Sequence, residues 1–233
     1  MDDIYNNTDY LKKNPLWHQE DSAFKAGLIH SILENNKIVY NSVCEVGCGA
    51  GGVLIQLRQL NGSKRISYRG YDISKDAIDL AQKKNAGIEF KLEDYTKDGE
   101  NADVLLIIDV IEHLRDYFSF LDSVSKKSRY TVFHIPLDMF VWSLFREQML
   151  IESKERVGHI HNFSEDFILS ILKDHGYTVV SKEYTEPDYS SSSVKGKIKN
   201  IFKKIFFKMA PRFTTKTLGG YSLLVLCENQ TKR

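Results

Sequence analysis

The stretch Val43-Cys44-Glu45-Val46-Gly47-Cys48-Gly49-Ala50-Gly51-Gly52 constrains the fold of this chain more than any other, because an apolar strand runs into an acid and then a turn built on four glycines. Glycine lets the backbone turn at positive φ and come close to a ligand, with no Cβ in the way. The helix that follows offers the unpaired amides of its N-terminus. Strand, glycine turn and helix together make a nucleotide-type cofactor loop, which commits the chain to an α/β architecture.

The rest of the sequence has the alternation that a parallel sheet with crossover helices requires. Strands are expected over 42–47, 66–72, 88–92, 103–109, 130–135, 178–184 and 220–227, and helices over 51–60, 74–85, 116–127 and 164–175. Ser164 suits the N-cap of the last helix, with Glu165 and Asp166 in its first turn and Gly176 closing it. Residues 1–40 precede the sheet as a helical cap, with a helix over 16–36 lying across the cofactor site. Residues 137–160 form an insertion after the fifth strand, and 185–219 form a second one before the last strand. The whole, 1–233, reads as a single domain, a size consistent with 42% hydrophobic content and one sizeable core.

Charge is segregated. The net charge is only +1, so no global field draws the chain to nucleic acid, yet eight Lys and Arg residues and no acid fall between 189 and 227. Within that basic stretch Ile198, Ile201, Phe202, Ile205, Phe206 and Met209 recur at helical spacing. Three readings stay open: the apolar stripe packs on the domain, the segment covers an anionic substrate, or 195–216 touches an anionic membrane surface. Cys44, Cys48 and Cys227 have no metal-ligand spacing, which suits a reduced, cytoplasmic setting. The N-terminus lacks an apolar core segment, and no run of 18 apolar residues occurs, so neither a signal peptide nor a spanning helix is expected.

The loop fits two cofactor patterns. Gly47, Gly49 and Gly52 satisfy the G-x-G-x-x-G spacing of dinucleotide-binding folds, and Glu45, Gly47, Gly49 and Gly51 satisfy the E-x-G-x-G-x-G spacing of S-adenosylmethionine-dependent methyltransferases. Asp72, 27 residues beyond Glu45, serves either class as a ribose acceptor. Farther on, the run Asp109-Val110-Ile111-Glu112-His113-Leu114 resembles the D-V-x-E-H-L signature of small-molecule class I methyltransferases, and Gly158-His159-Ile160-His161-Asn162-Phe163 resembles the G-H-x-x-x-F/Y segment before their next helix. The resemblance spans roughly residues 40 to 180. It implies a Rossmann-like sheet of seven strands in the order 3-2-1-4-5-7-6 with helices on both faces, and S-adenosylmethionine as cofactor with S-adenosylhomocysteine as product.

The same resemblance implies roles for individual residues. Glu45, Gly47, Cys48, Gly49 and Gly51 would meet the amino-acid end of the cofactor, Asp72 and Ile73 the ribose, Asp94 and Tyr95 the adenine, and Asp109 and Val110 the methionine moiety. His113 is the candidate base for the acceptor's proton, since an imidazole titrates near neutrality; the other reading is that it braces its loop by hydrogen bonding. On the acceptor side the candidates are His18, Lys25, His134, Arg146, His159 and His161, with Arg156 and Lys154 in the same insertion. An arginine there suits a phosphate or carboxylate on the acceptor. His159 and His161 lack a nearby acid in sequence, so no metal is read from them.

The segment Asn14–Ser22 with Lys25, and the run Gly219-Gly220-Tyr221-Ser222, resemble parts of methyltransferases linked to surface-polysaccharide assembly. They tilt the expected function toward O-methylation of a small polar metabolite such as a capsule or lipopolysaccharide precursor, at a sugar hydroxyl or phosphate-type oxygen. A quinone or lipid acceptor at a membrane surface, a nicotinamide-dependent oxidoreductase, and a noncatalytic cofactor-binding protein are the alternatives.

Overall fold

A computed structural model of the chain describes residues 21–84, 87–187 and 194–230. Seven strands form one sheet: β1 Ser42–Val46, β2 Ser67–Asp72, β3 Glu89–Leu92, β4 Ala102–Ile108, β5 Ser128–Pro136, β6 Tyr177–Thr185 and β7 Ser222–Asn229. Their order is β3-β2-β1-β4-β5-β7-β6, parallel except that β7 runs antiparallel to both its neighbours. This is the expected order. Strands buried on both faces read as continuous apolar runs, and Val104-Leu105-Leu106-Ile107 is one.

Successive residues of that run serve two separate cores. Val104 and Leu106 join Val43, Leu54, Leu57 and Ile29 on one face, while Leu105 and Ile107 join Cys44, Phe133, Leu121 and Leu172 on the other. The first face is covered by α1 (Ser22–Asn35), α2 (Gly52–Asn61) and α3 (Lys75–Lys83). The second is covered by α5 (Tyr117–Val124) and α8 (Glu165–Asp174), with the short α4 (Tyr95–Asp98) at its edge. Two further helices, α6 (Val141–Leu144) and α7 (Gln148–Val157), occupy the segment after β5.

Between β6 and β7 lie α9 (Val194–Met209) and α10 (Pro211–Leu218). Here one expectation is corrected. The stripe Ile198, Ile201, Phe202, Ile205, Phe206 and Met209 does not pack on the domain, since each of these side chains is between 48% and 77% exposed. The side of α9 that meets the body is the one carrying Phe207, whose ring stacks on Tyr221 at 4.6 Å, and Lys203, which lies over the same ring. One face of an amphipathic helix is thus turned outward.

Candidate active site

The glycine loop is fixed from the neighbouring strand. Gly47 and Cys48 both donate their amides to the Tyr71 carbonyl at 2.8 and 3.1 Å, and Gly49 donates to Asp72 Oδ2 at 2.8 Å. The other oxygen of Asp72 accepts the Ser74 amide at 2.8 Å. Asp72 therefore shapes the loop, and its carboxylate keeps lone pairs for a further donor. Gly47 sits at φ +69°, where a Cβ would lie 2.8 Å from Val110 Cγ2. Beneath the loop Glu45 is almost fully buried, and its Oε2 has no hydrogen-bond partner. Burial, with repulsion from Asp72 and Asp109, pushes its carboxyl up to about 8, against the pull of Lys25.

At the end of β4 stands Asp109, a non-glycine residue at φ +53°. Its Oδ1 is 2.6 Å from His134 Nδ1 on β5, and its Oδ2 accepts from Lys25 Nζ on α1 at 2.7 Å. Burial opposes ionisation of this carboxyl, but His134 and Lys25 outweigh it and hold Asp109 below the usual carboxylate range. Three elements distant in sequence meet in this one chain of charge.

The next turn, a single 3-10 turn over Ile111–His113, carries the chain to a second polar cluster. Glu112 is fully buried with neither carboxylate oxygen hydrogen bonded. Burial, reinforced by Asp109, pushes its carboxyl well above the usual range. Its backbone carbonyl accepts the amides of Ile160 and His161 at 2.9 and 3.1 Å, which fastens the loop 158–161 against the turn. His113 Nδ1 lies 3.0 Å from the Gly158 carbonyl, and His159 Nδ1 lies 2.7 Å from Asp138 Oδ2 and 3.2 Å from Ser153 Oγ.

All three clusters open into one cavity of about 1110 Å³. That exceeds the usual range for a single small-molecule site, so it has room for a nucleoside cofactor and a second molecule. Its lining takes in Glu45, Gly47, Cys48, Gly49, Asp72 and Ile73 of the loop region, Asp109, Val110, Lys25 and His134, and Glu112, His113 and His159.

Five of the residues expected from sequence do not reach this lining. Asp94 caps α4, its Oδ1 taking both the amide and the hydroxyl of Thr96, and Tyr95 is buried in the core with its hydroxyl on the Glu100 carbonyl. Gly51 is instead a packing glycine, where a Cβ would strike the Phe90 ring at 2.4 Å. Arg146 is exposed outside the cavity, which is lined from the same insertion by Arg156. His161 turns its ring to Tyr117 and Phe163, away from the cavity. His18 lies outside the described residues. Sequence reasoning assigned no role to Glu112, Asp138 or Ser153, all of which line the cavity, as does Lys204 of the basic stretch. Glu112 alone had a signal, as the acid within D-V-x-E-H-L.

A family model described as "Methyltransferase domain" matches residues 16–182. No curated protein matches the sequence. Among solved structures the chain is similar to magnesium protoporphyrin IX methyltransferase from Synechocystis with bound S-adenosylhomocysteine, at 16% identity over 98% of this chain and 97% of that one, with a TM-score of 0.66. It is also similar to a Haloferax volcanii putative methyltransferase in complex with the Trm112 activator (12% identity, 99% of each chain, TM-score 0.66). A third is a putative sarcosine dimethylglycine methyltransferase from Galdieria sulphuraria (17% identity, 92% of this chain and 88% of that one, TM-score 0.62). The nicotinamide reading of the glycine loop finds no support among these comparisons.

Proposed function

The chain belongs to the methyltransferase-domain family, whose class I fold and dependence on S-adenosylmethionine it shares, and from that premise we propose that it methylates an oxygen of a small polar acceptor. The observation that carries this reading is the continuity of one cavity from the glycine loop to the Glu112, His113 and His159 cluster. The residues at the loop end fit the cofactor: Gly47 leaves room beside Val110 for close approach, and the unpartnered Glu45 oxygen suits an ammonium group. Bound there, the cofactor supplies a methyl group already activated by its sulfonium. The task left to the chain is to hold a nucleophile in line and to exclude water.

His113 is the group we assign to the acceptor's proton, because its imidazole lines the same cavity as the glycine loop. Arg156 and Lys204 enter the same lining and favour an anionic acceptor, such as a phosphorylated sugar. A capsule or lipopolysaccharide precursor matches that chemistry, in a cytoplasmic setting to which the three free cysteines are suited. The test is S-adenosylhomocysteine formation over a panel of phosphorylated and unphosphorylated sugars, with the methylated atom identified by NMR. Turnover on an oxygen is the expected result. Turnover confined to nitrogen or sulfur acceptors would overturn the reading. Replacing His113 by Ala should lower turnover by more than about 100-fold if the acceptor is a hydroxyl, and little if it is a phosphate oxygen.

One observation favours a second reading, an acceptor carried at a membrane surface. The apolar stripe of α9 is exposed while Lys204 of the same helix lines the cavity. Among the described residues no helix is long and apolar enough to cross a membrane, so the contact would be peripheral.

A further inference from the structure

The cavity lining has a feature that methyl transfer by itself does not require. Glu112, His113 and His159 each offer a ligand atom, and these atoms lie within 4.8 Å of one another. His113 Nε2 and Glu112 Oε1 are 4.0 Å apart. Two donors about 2.0–2.2 Å from one ion in tetrahedral geometry are about 3.3–3.6 Å apart, so the pair has to close by about half an ångström to share an ion.

Three further observations point to a ligand. Glu112 is completely buried, and both of its carboxylate oxygens lack a hydrogen-bond partner, an arrangement that costs free energy unless something satisfies them. The Gly158 carbonyl can only accept, so His113 Nδ1 carries the hydrogen in the bond between them, which makes Nε2 the lone-pair nitrogen. Asp138 fixes His159 in the same tautomer through its Nδ1, with Ser153 beside it. A carboxylate behind a histidine in this way is the usual support of a metal-binding imidazole, raising its basicity and setting its ring orientation.

We propose that Glu112, His113 and His159 form a site for a divalent first-row metal ion such as zinc or manganese, with Asp138 as the residue that orients His159. Two imidazoles and one carboxylate suit ions of this class. The three ligands come from the 3-10 turn and the loop that Glu112 itself fastens to that turn, so the fold brings them together and small side-chain shifts close them on an ion. Glu112, His113 and His159 all line the cavity, so an ion held by them would be open to an acceptor oxygen there. Taking methyl transfer as read above, the ion acidifies the acceptor hydroxyl. The O–H bond breaks with its proton passing to solvent, and the oxygen forms its bond to the methyl carbon as the C–S bond breaks with its electron pair to sulfur. His113 then acts on the acceptor's proton through the ion.

Metal binding is tested without cofactor or acceptor, so its failure and the failure of the methyl-transfer reading are told apart. Chelator-treated protein is titrated calorimetrically with zinc and with manganese chloride, and its melting is followed with and without the ion. One equivalent should bind with micromolar or tighter affinity and raise the melting temperature. Glu112→Gln, which keeps the side chain's size and removes its charge, should weaken binding at least tenfold and abolish the melting shift. Asp138→Asn should weaken it by 10- to 100-fold, whereas His175→Gln, whose ring pairs with Asp122 elsewhere, should change nothing. Absence of saturable binding to the folded protein, or one equivalent retained undiminished by Glu112→Gln, would overturn the site.

Discussion

Asp109 and His134 close a 2.6 Å contact between the ends of neighbouring parallel strands, while the Asp109 amide donates to the His134 carbonyl at 3.0 Å. Side chain and backbone of the same two residues therefore lock β4 to β5 at the rim of the cavity. Lys25 completes the arrangement from α1. Asp109→Asn takes the carboxylate away from Lys25 and His134, and the expected loss in urea denaturation is about 2 kcal/mol. Asparagine tolerates the left-handed conformation at this position. Asp109→Ala should therefore cost about 1 kcal/mol more, and S-adenosylhomocysteine affinity should fall in both variants. Equal stability of the two variants would refute the strain argument.

Glu45 gives the protein a pH dependence whose sign is fixed by its burial. Its carboxyl is pushed up to about 8 in the fold, so the folded state keeps a proton that the unfolded chain has already released. The stability contributed this way is fully present below the ordinary carboxylate range and is lost as pH rises through about 8. Glu45→Gln should flatten the fall in cofactor-free stability across that window, by on the order of 4 kcal/mol. If the ammonium end of the cofactor meets this side chain, binding expels the proton, and S-adenosylhomocysteine affinity should rise from about pH 6 to pH 8. Calorimetry in two buffers of different ionisation enthalpy reads that proton directly.

The strands and the loop position were legible in the sequence because both follow from patterns local to the chain, continuous apolar runs, alternating crossovers and glycines at fixed spacing, whereas the strand order came from the resemblance that the D-V-x-E-H-L run carries. The site was legible only in part, since tertiary contacts decide which side chains reach it. Glu165 reads as a first-turn acid facing the helix dipole, yet it is buried and accepts from Lys182 at 2.6 Å and from the Tyr184 hydroxyl, because β6 comes to lie against α8. Asp94 reads as a free carboxylate, but a local hydrogen bond to Thr96 claims it first. Of two histidines two residues apart, His159 faces the cavity and His161 the core, and of two arginines in one insertion Arg156 lines the cavity while Arg146 does not. The spacing was visible but the direction was not.

Gly51 separates the two meanings of a glycine in a cofactor loop. With φ at +73° and a Cβ position 2.4 Å from the Phe90 ring, it fails on conformation and on space together. Gly51→Ala should cost about 2 kcal/mol or more and should lower cofactor affinity only through the displaced loop. Gly27, inside α1 with nothing within 4 Å of its Cβ position, is the control: Gly27→Ala should stabilise by about 0.5–1 kcal/mol. Chemical denaturation of the pair checks both signs at once.

The outward face of α9 gives the last prediction. Ile201, Phe202 and Ile205 are each about half exposed or more, so replacing all three by Ser should leave stability within about 0.5 kcal/mol per site. The same residues are flanked by Lys197, Lys204 and Lys208, all exposed on a segment that carries no acid from 189 to 227. Near an anionic bilayer each such lysine contributes about 1 kcal/mol, and the apolar side chains add their burial in the headgroup region. Co-sedimentation with vesicles containing phosphatidylglycerol should therefore be strong at low salt, weak on purely zwitterionic vesicles, and lost in the triple Ser variant. Retention of binding by that variant would assign the interaction to the lysines alone, and absence of binding by the native protein would remove the membrane-surface reading of the acceptor.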